Sequence, residues 1–481
     1  MAETADRPVP HEIIPCRHLP PARYRDLAPP PSWKKLVGPS VLLLGLSIGS
    51  GEFVLWPYIT YKFGFGVFWA CMLGVLTQYF INMEIERWTL ATGETATTGF
   101  CRLWKHWSWV FLLCNIIPWA WPGWASGAAT LVTWEFGGGE TTRVALSIGL
   151  LIGVGLALTL GPVVYRTVEL LQVVMVALIL VFLLVIFALT VEVEHLGEMF
   201  AGILNVGFIP EGMSLPLFLG ALAFAGAGGT MNLAQSAYVR EQGYGMGRYA
   251  GRLTSPLTGK EEVVSDLGFH FEPTEQNLKY WRAWWKAANR EHFITFYLLS
   301  VLTLMLLSLI SYSTTRNLGT LGGDLEFVRA EGEYIGQHYG GIFRHLFNWM
   351  GFAILMTTEL GLIDACSRIS TDIIKVNWLR DSTRWTDSRI YFCLLWAQIA
   401  FGCLVMLSDF NQPLLLLVLS ASLNGGVMLI YSVLLLWLNN RVLRGPLAMH
   451  PVRFVAMVWA CGFFGYFTFV TIRDQLPRLW Q

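Results

Sequence analysis

The chain has 481 residues, of which 54% are hydrophobic and 14% are charged, and its formal net charge is zero. The balanced charge argues against a nucleic-acid partner, which would require a basic surface. Apolar runs of about 20 residues recur along the chain, and each is long enough to cross the hydrocarbon core of a bilayer. The sequence therefore predicts an all-α polytopic membrane protein.

The apolar runs predict about eleven membrane crossings. They lie at about 37–60, 66–90, 108–134, 143–161, 168–191, 216–240, 293–313, 345–367, 389–408, 413–438 and 451–472. Residues 1–36 are rich in Pro, Arg and His, which predicts a flexible, solvated tail. Residues 192–215 form a predicted external loop. In the long loop 241–291, the residues 278–288 have the pattern of a helix that lies in the membrane interface or packs on the bundle.

Lysine and arginine are concentrated in every other loop. Lys34 and Lys35 precede the first crossing, and Arg441 and Arg444 follow the tenth on the same side, whereas the loops on the opposite side are acidic. Because positive charge is retained in the cytoplasm, this pattern predicts a cytoplasmic N-terminus. An odd number of crossings then places the C-terminus outside, and we expect the protein in the plasma (inner) membrane.

The first crossing carries an interruption at its centre. Gly49, Ser50 and Gly51 are poor helix formers, and Glu52 follows them directly. A carboxylate near the bilayer midplane is costly unless something compensates its charge. This pattern predicts a broken helix that holds an acid at a binding site, although a structural acid, neutralised or ion-paired, is the alternative for Glu52.

The sixth crossing has a similar glycine-rich interruption at 225–229. Crossings one to five and six to ten thus each begin with an interrupted helix, and an odd number of helices per half inverts the second half in the membrane. The sequence predicts two inverted repeats, residues 37–191 and 216–438, with the crossing at 451–472 outside them. Interrupted helices in corresponding positions of two halves indicate the substrate site of a secondary transporter.

Both interruptions offer hard oxygen ligands, namely a carboxylate, an amide, hydroxyls and freed backbone carbonyls. No imidazole or thiolate lies among them, so Mg²⁺, Mn²⁺, Ca²⁺ or a monovalent cation is favoured over Cu⁺ or Zn²⁺. Glu52 and Asn232 are the predicted ligands of the transported ion, and we expect no resident cofactor. The predicted substrate site comprises Gly49, Ser50, Gly51, Glu52, Gly228, Thr230, Met231 and Asn232.

Two further polar positions are secondary candidates for an ion site or relay. Glu359 lies deep in the eighth crossing, and Asn424 lies in the tenth. Asp364 is four residues before Arg368, so these two residues are interpreted as a structural ion pair. The stretch 119–124, with three tryptophans and a proline, predicts a kink with aromatic walls, which would suit an organic cation or serve only for packing.

Several stretches resemble the Nramp divalent-metal transporters. Gly38-Pro39 followed by an apolar run and a four-residue interruption is similar to their first helix. Residues 85–94 resemble the end of their second helix, 165–169 the entry to their fifth, and 236–239 the end of their sixth. The resemblance implies a LeuT-type fold with two five-helix inverted repeats and transport of a divalent metal ion.

The motifs of the family differ at the metal site. Its first-helix motif is Asp-Pro-Gly-Asn, where this chain has Gly-Ser-Gly-Glu at 49–52, and its sixth-helix motif is Met-Pro-His-Asn, where this chain has Gly-Gly-Thr-Met at 228–231. The acids of the family's third helix have no counterpart in 119–130. The resemblance therefore implies the fold but not the family's metal ligands or its proton coupling.

We hypothesise a secondary transporter of a hard metal cation such as Mn²⁺, Mg²⁺ or Fe²⁺ that works by alternating access. A transporter of a small organic solute on the same fold is one alternative, and a non-transporting membrane sensor or scaffold is another. No catalytic or nucleotide-binding motif occurs at a suitable place, so we do not expect an enzyme. The expected partners are the transported cation or solute and the lipid bilayer, and we expect a monomer or a loose oligomer.

Overall fold

The computed structural model is helical except for two short strands, β1 (Arg23–Tyr24) and β2 (Phe269–His270), which pair in parallel. The structure describes residues 7–31, 39–161, 164–253, 268–319, 321, 325–408 and 411–475, without the side chains of Ser50, Val164, Tyr165, Asp474 and Gln475. Within these residues, eight helical segments are long and apolar enough to cross a membrane. The chain is an integral membrane protein of the predicted all-α class.

The described helices follow the predicted order of crossings. The eleven predicted crossings correspond to α1–α2, α3, α5–α6, α7, α8, α10–α11, α12–α13, α15, α16, α17 and α18, while α4, α9 and α14 lie in connections. Of these, α3, α5–α6 and α10–α11 are not among the eight segments that are long and apolar enough by themselves. Their bounds are α1 (Pro39–Ser47), α2 (Trp56–Phe63), α3 (Phe68–Thr92), α4 (Ala96–Leu103), α5 (Trp107–Trp119), α6 (Gly123–Phe136), α7 (Glu140–Leu160), α8 (Val164–Thr190), α9 (Val193–Leu204), α10 (Leu215–Ala223), α11 (Met231–Glu241), α12 (Glu275–His292), α13 (Leu299–Thr315), α14 (Glu326–Tyr339), α15 (Gly341–Asn377), α16 (Asp387–Met406), α17 (Pro413–Val442) and α18 (Pro451–Gln475).

The first crossing is widened rather than broken. A π-helical segment, Ile48–Leu55, joins α1 to α2 without an unwound residue, so the predicted break at Gly49-Ser50-Gly51 is a change of helix type. The glycines admit close neighbours here: a Cβ on Gly51 would lie 1.5 Å from the carbonyl oxygen of Phe224, and one on Gly49 would lie 2.2 Å from Oγ1 of Thr358. Isolated π segments occur often at functional sites.

The sixth crossing is broken, as the sequence predicts. Helix α10 ends at Ala223 and α11 begins at Met231, and between them Gly228 and Gly229 have φ values of 74° and 50°. Residues with a Cβ rarely adopt this left-handed conformation, whereas glycine adopts it at little cost. The two consecutive glycines therefore let the chain leave one helix and enter the next, and we call residues 224–230 the break.

The outer helices and the central helix differ in composition. On α7 and α8, large apolar side chains face outward, with Leu160 58% exposed and Leu170 66% exposed. Such faces suit lipid, because the hydrocarbon core offers no competing polar contacts. The 37-residue α15 lies inside the bundle and packs against α1, α5, α6, α8 and α16.

The N-terminal segment, residues 7–31, is folded onto the bundle, and the prediction of a flexible tail for residues 1–36 is wrong for this part. Val9, Ile14 and Leu27 are buried, and Nη1 of Arg102 donates to the carbonyl oxygens of Pro15 at 2.9 Å and Pro20 at 3.0 Å. The composition suggested solvation, but pairing of β1 with β2 and packing on α4 and α12 bury the few apolar residues. Residues 1–6 and 32–36 lie outside the described part.

Helix α12 is packed on protein rather than laid in the membrane interface. Trp281 and Trp284 are 5% and 3% exposed, and Nε1 of Trp284 donates to the carbonyl oxygen of Ala28 at 2.7 Å. A short π-helical segment, Phe293–Leu298, then joins α12 to α13. The helix thus runs from Glu275 to Thr315 without interruption and links the N-terminal segment to the interior of the bundle.

Candidate functional site

The break is held open by one glutamine from the second crossing. Nε2 of Gln78 donates to the carbonyl oxygen of Ala223 at 2.9 Å, and its Oε1 accepts from the backbone N–H of Gly228 at 3.1 Å. The same oxygen accepts from Nδ2 of Asn232 at 3.2 Å. Groups at helix ends need such partners inside a membrane, because water is not there to replace them. Gln78 therefore stabilises both ends of the break.

A second group of side chains joins the break to the third and eighth crossings. Oγ1 of Thr230 donates to Oδ1 of Asn115 at 2.7 Å and accepts from Nε1 of Trp119 at 2.8 Å. Nδ2 of Asn115 in turn donates to Oγ of Ser370 at 3.0 Å and to the carbonyl oxygen of Cys366 at 2.8 Å. The beginning of α11 is therefore fixed by a neutral network of hydrogen bonds.

The tenth crossing, α17, supplies the third side of the break. Oδ1 of Asn424 lies so close to Gly229 that a Cβ there would be 1.7 Å from it, and Nδ2 of Asn424 donates to the carbonyl oxygen of Ser420 at 3.0 Å. Nδ2 of Asn232 donates to the hydroxyl of Tyr431 at 2.9 Å. The amide oxygens of Asn232 and Asn424 are buried and accept no hydrogen bond from the described residues.

These unpaired oxygens are the distinctive chemical feature of the break. In folded proteins a buried acceptor without a donor costs about 1–3 kcal/mol, so most are satisfied. Among the described residues, no backbone N–H donates to the carbonyl oxygens of Phe224, Ala225, Gly226 or Ala227. The break thus combines amide and carbonyl oxygens, which are the groups that hard cations prefer as ligands.

Glu52 faces a different neighbour. Its carboxylate is fully buried and accepts hydrogen bonds from Oγ of Ser47 at 2.7 Å and from Oγ1 of Thr303 on α13. Hydrogen bonds in a π-helix join residues five apart, and Glu52 is five residues after Ser47, which directly precedes the π-helical segment. The sequence predicted an acid that faces the sixth crossing, whereas the carboxylate is directed to the seventh, and only the backbone at Gly51 touches the break.

The other residues of the predicted substrate site lie partly at the break and partly in the first crossing near Glu52. Thr230, Asn232, Gly228 and the secondary candidate Asn424 lie at the break. Met231 begins α11 and is buried in the apolar core, and Gly49 contacts Thr358 on α15 at 3.1 Å through its backbone N–H. The sequence analysis assigned no role in the site to Gln78, Asn115 or Tyr431. The one signal that could have identified them is a polar side chain inside an apolar run.

Glu359 is buried in α15, where the backbone of Ala125 in the third crossing hydrogen-bonds to its carboxyl group. Its neighbour Thr358 donates through Oγ1 to the carbonyl oxygen of Gly45 at 3.0 Å, while Oε2 of Glu359 has no hydrogen-bond partner among the described residues. Within the same part of the chain, no three His, Cys, Asp or Glu side chains come together as a metal cluster. A cation at the break would therefore be held chiefly by neutral oxygens.

Aromatic side chains line the break on the side of the third crossing. The ring of Trp119 stacks on Phe224 with centroids 5.5 Å apart, and Trp124 lies 5.7 Å from Trp119 and 6.1 Å from Phe224. Trp119 and Trp124 are 2% and 0% exposed. Two of the three predicted tryptophans thus form a wall of the break, whereas Trp121 packs edge-on against Phe401.

On the side where α1 begins, ion pairs connect the sixth and eighth crossings. Nη1 of Arg240 lies 2.5 Å from Oδ1 of Asp372, and Arg368 forms ion pairs with Glu241 and, at 2.7 Å, with Asp364. All five side chains are buried, so these pairs hold the end of α11 against α15. The structural ion pair that the sequence predicted for Asp364 and Arg368 is present, and Glu241 extends it.

No protein-family model matches the chain, and no curated protein matches it in sequence. Among solved structures, the Eremococcus coleocola manganese transporter in complex with an aromatic bis-isothiourea substituted compound is 14% identical, with a TM-score of 0.69 over 97% of this chain and 92% of that chain. A mutant of the same transporter has a TM-score of 0.67 over 94% of this chain and 90% of that chain, also at 14% identity.

MhsT in complex with L-phenylalanine is also similar, at 13% identity and a TM-score of 0.58 over 90% of this chain and 97% of that chain. At these identities the matches show the fold. The chain has the all-helical, LeuT-type fold that the sequence resemblance implied.

Proposed function

We propose that the protein is a secondary transporter that moves a hard metal cation across the membrane by alternating access. The observation that carries the proposal is the break in the sixth crossing, where, among the described residues, two buried amide oxygens have no donor and four carbonyl oxygens have no backbone donor, beside two left-handed glycines. Interrupted helices at mid-depth bind substrate in transporters of this architecture. The similarity to a manganese transporter supports a divalent cation as the substrate.

The proposed ligands are Asn232, Asn424 and the carbonyl groups of the break, with Thr230 as a neighbour. These are hard oxygen donors, which suit Mn²⁺, Mg²⁺ or Fe²⁺ with part of its hydration shell retained. Glu52 lies one residue from the contact between Gly51 and Phe224. In this interpretation its charge attracts the cation through the low-dielectric interior without direct coordination.

The ion pairs of Arg240 and Arg368 would close one side of the pathway. They tie α11 to α15 on the side where α1 begins, which the distribution of Lys and Arg assigns to the cytoplasm. Opening that side would require these pairs to separate while the opposite side closes. The proposed orientation places the N-terminus in the cytoplasm and the C-terminus outside, in the plasma membrane.

A small organic solute is the second candidate. Trp119, Trp124 and Phe224 form an aromatic wall at the break, and aromatic faces attract organic cations and rings. The ligands around the break are neutral, and MhsT, which shares the fold, is solved with L-phenylalanine. Uptake of amines or amino acids without metal uptake would favour this candidate, and the absence of flux for every solute would favour a sensor or scaffold.

The test is uptake of Mn²⁺ into proteoliposomes by Asn232→Ala and Glu52→Gln. We expect each variant to lose at least about tenfold in uptake rate, which corresponds to about 1.4 kcal/mol in the barrier. Asn377→Ala is the matched control, because its amide hydrogen-bonds to the carbonyl oxygen of Ile373 at the end of α15 and to the thiol of Cys101, both outside the break. Normal uptake by folded Asn232→Ala would remove the proposed site.

A further inference from the structure

A second buried polar cluster lies nearer to the beginning of α1. It consists of Ser40, Glu86, Gln235, Glu291 and His292, and we call it the Glu86 cluster. Oγ of Ser40 donates to Oε2 of Glu291 and lies 2.8 Å from Nδ1 of His292. Nε2 of Gln235 lies 3.4 Å from both Oγ of Ser40 and Oε2 of Glu86. The cluster connects the first, second, sixth and seventh crossings.

The Glu86 cluster has more acceptors than donors. Because the one hydroxyl hydrogen of Ser40 goes to Glu291, the contact with His292 requires Nδ1 to be the donor. In a neutral imidazole, Nε2 is then a bare acceptor. Nε2 of His292, Oε1 of Glu86 and Oε1 of Gln235 are all buried without a hydrogen-bond partner among the described residues. One additional hydrogen on Glu86 or His292 would turn an acceptor into a donor.

Among the described residues no cation forms an ion pair with Glu86, although the more distant Arg453 acts on it electrostatically. Glu291 and Arg453 are the charged groups within electrostatic reach of it, and the nearby phenols are Tyr79 and Tyr244. The guanidinium of Arg453 faces other groups: its Nη2 donates to Asn289, its Nη1 lies 3.8 Å from Oε1 of Glu84, and its centre lies 4.8 Å from the ring centroid of Trp285.

Glu291 carries the same charge as Glu86. Two carboxylates in one buried cluster repel each other when both are ionised. A shared or added proton removes this repulsion.

We propose that the Glu86 cluster is a proton-binding site, separate from the break, in which Glu86 holds the proton. Protonated Glu86 would be neutral towards Glu291 and would offer the hydrogen that the cluster lacks. Loss of this proton would leave two negative charges between the ends of four crossings and loosen their contact. The proton site itself does not depend on the proposed transport activity, whereas its coupling to uptake rests on that function.

Infrared difference spectroscopy of the reconstituted full chain tests the site directly. A protonated carboxyl has a C=O stretching band that a carboxylate lacks. At neutral pH, we expect the spectrum of the wild type minus that of Glu86→Gln to contain this band. Glu86→Asp should shift the band rather than remove it, and it is the second variant if Glu86→Gln does not fold. Glu333→Gln is the matched control, because Glu333 is exposed and pairs with Arg329 at 3.0 Å.

Identical carboxyl spectra of the wild type and folded Glu86→Gln would overturn the proposal. A band that disappears only in Glu86→Gln would support it, whether or not the chain transports Mn²⁺. The coupling is tested by uptake as a function of pH, where Glu86→Gln should abolish the dependence seen in the wild type. Loss of the band with an unchanged pH profile would overturn the coupling and leave the proton site in place.

Discussion

The two glycine-rich interruptions begin with similar composition and end in different structures. In the sixth crossing, Gly228 and Gly229 are left-handed and the helix stops, whereas the first crossing remains helical through Ile48–Leu55 in a wider form. The difference lies in the partners. Gln78 supplies a donor and an acceptor to the ends of the break, while Gly51 serves to bring the first crossing against the carbonyl of Phe224. Glycine content alone therefore does not determine whether a membrane helix breaks.

The largest effect is expected where the two interruptions touch. Gly51→Ala would place a Cβ 1.5 Å from the backbone carbonyl oxygen of Phe224. A backbone atom cannot move aside as the end of a flexible side chain can. We expect a loss of about 3 kcal/mol or more in stability, the upper range for overpacking, and a lower midpoint of thermal unfolding in detergent. Gly149→Ala is the control, since a Cβ at Gly149 has no neighbour within 4 Å. Equal midpoints for the two variants would contradict the close contact.

A smaller effect on stability is expected from the removal of Gln78, which hydrogen-bonds to both ends of the break in the sixth crossing. Gln78→Leu leaves the N–H of Gly228 and the carbonyl of Ala223 without their hydrogen bonds, which should cost about 2 kcal/mol. Gln398→Leu is the control, because among the described residues its amide has one hydrogen bond, to the carbonyl oxygen of Trp119 at 3.2 Å. Thermal unfolding of both variants gives the comparison. A Gln78→Leu protein as stable as the control would mean that the break does not depend on this glutamine.

The smallest effect concerns a buried acid outside the crossings, Glu331 on α14. Burial raises its pKa to about 8 against the ordinary 4.5, even though a hydrogen bond from Ser311 acts in the opposite direction. Since the folded state holds the proton more tightly, this contribution to stability is full below pH 4.5 and is lost as the pH rises to about 8.

Glu331→Gln should flatten this part of the stability profile by at most one proton, as measured by unfolding midpoints from pH 5 to pH 9. Glu326→Gln, at the beginning of the same helix, should leave the profile unchanged. A wild-type profile that is already flat would show that Glu331 is ionised in the folded protein. A loss of this pH dependence in Glu331→Gln would show that burial of an acid is costly outside the crossings as well.

The order of the crossings and the break in the sixth could be predicted, because apolar length and consecutive glycines are local properties. The π-helical segment could not, since it depends on Phe224 and Thr358, which are distant in sequence. The same holds for the direction of Glu52, which the wider helix turns towards Thr303. The N-terminal segment was misjudged because the partner of β1 lies about 245 residues away, as a count from Tyr24 to Phe269 gives.

The site could be predicted only in part for a related reason. Thr230 and Asn232 follow the glycines directly, so their place at the break is visible in one stretch of sequence. Gln78, Asn115 and Tyr431 reach the same place from three other crossings, and a single sequence offers no register between crossings. That these residues bind substrate stays a prediction.

The uninterrupted helix from Glu275 to Thr315 has a mechanical consequence. Near its beginning, Asn277 and Trp284 form hydrogen bonds with the N-terminal segment. Farther along the same helix, Thr303 donates a hydrogen bond to Glu52. An α-helix rises about 1.5 Å per residue, so Asn277 and Thr303 are about 40 Å apart along it. A fused tag or a binding protein that displaces residues 7–31 would therefore also displace Thr303 relative to Glu52 at the centre of the bundle.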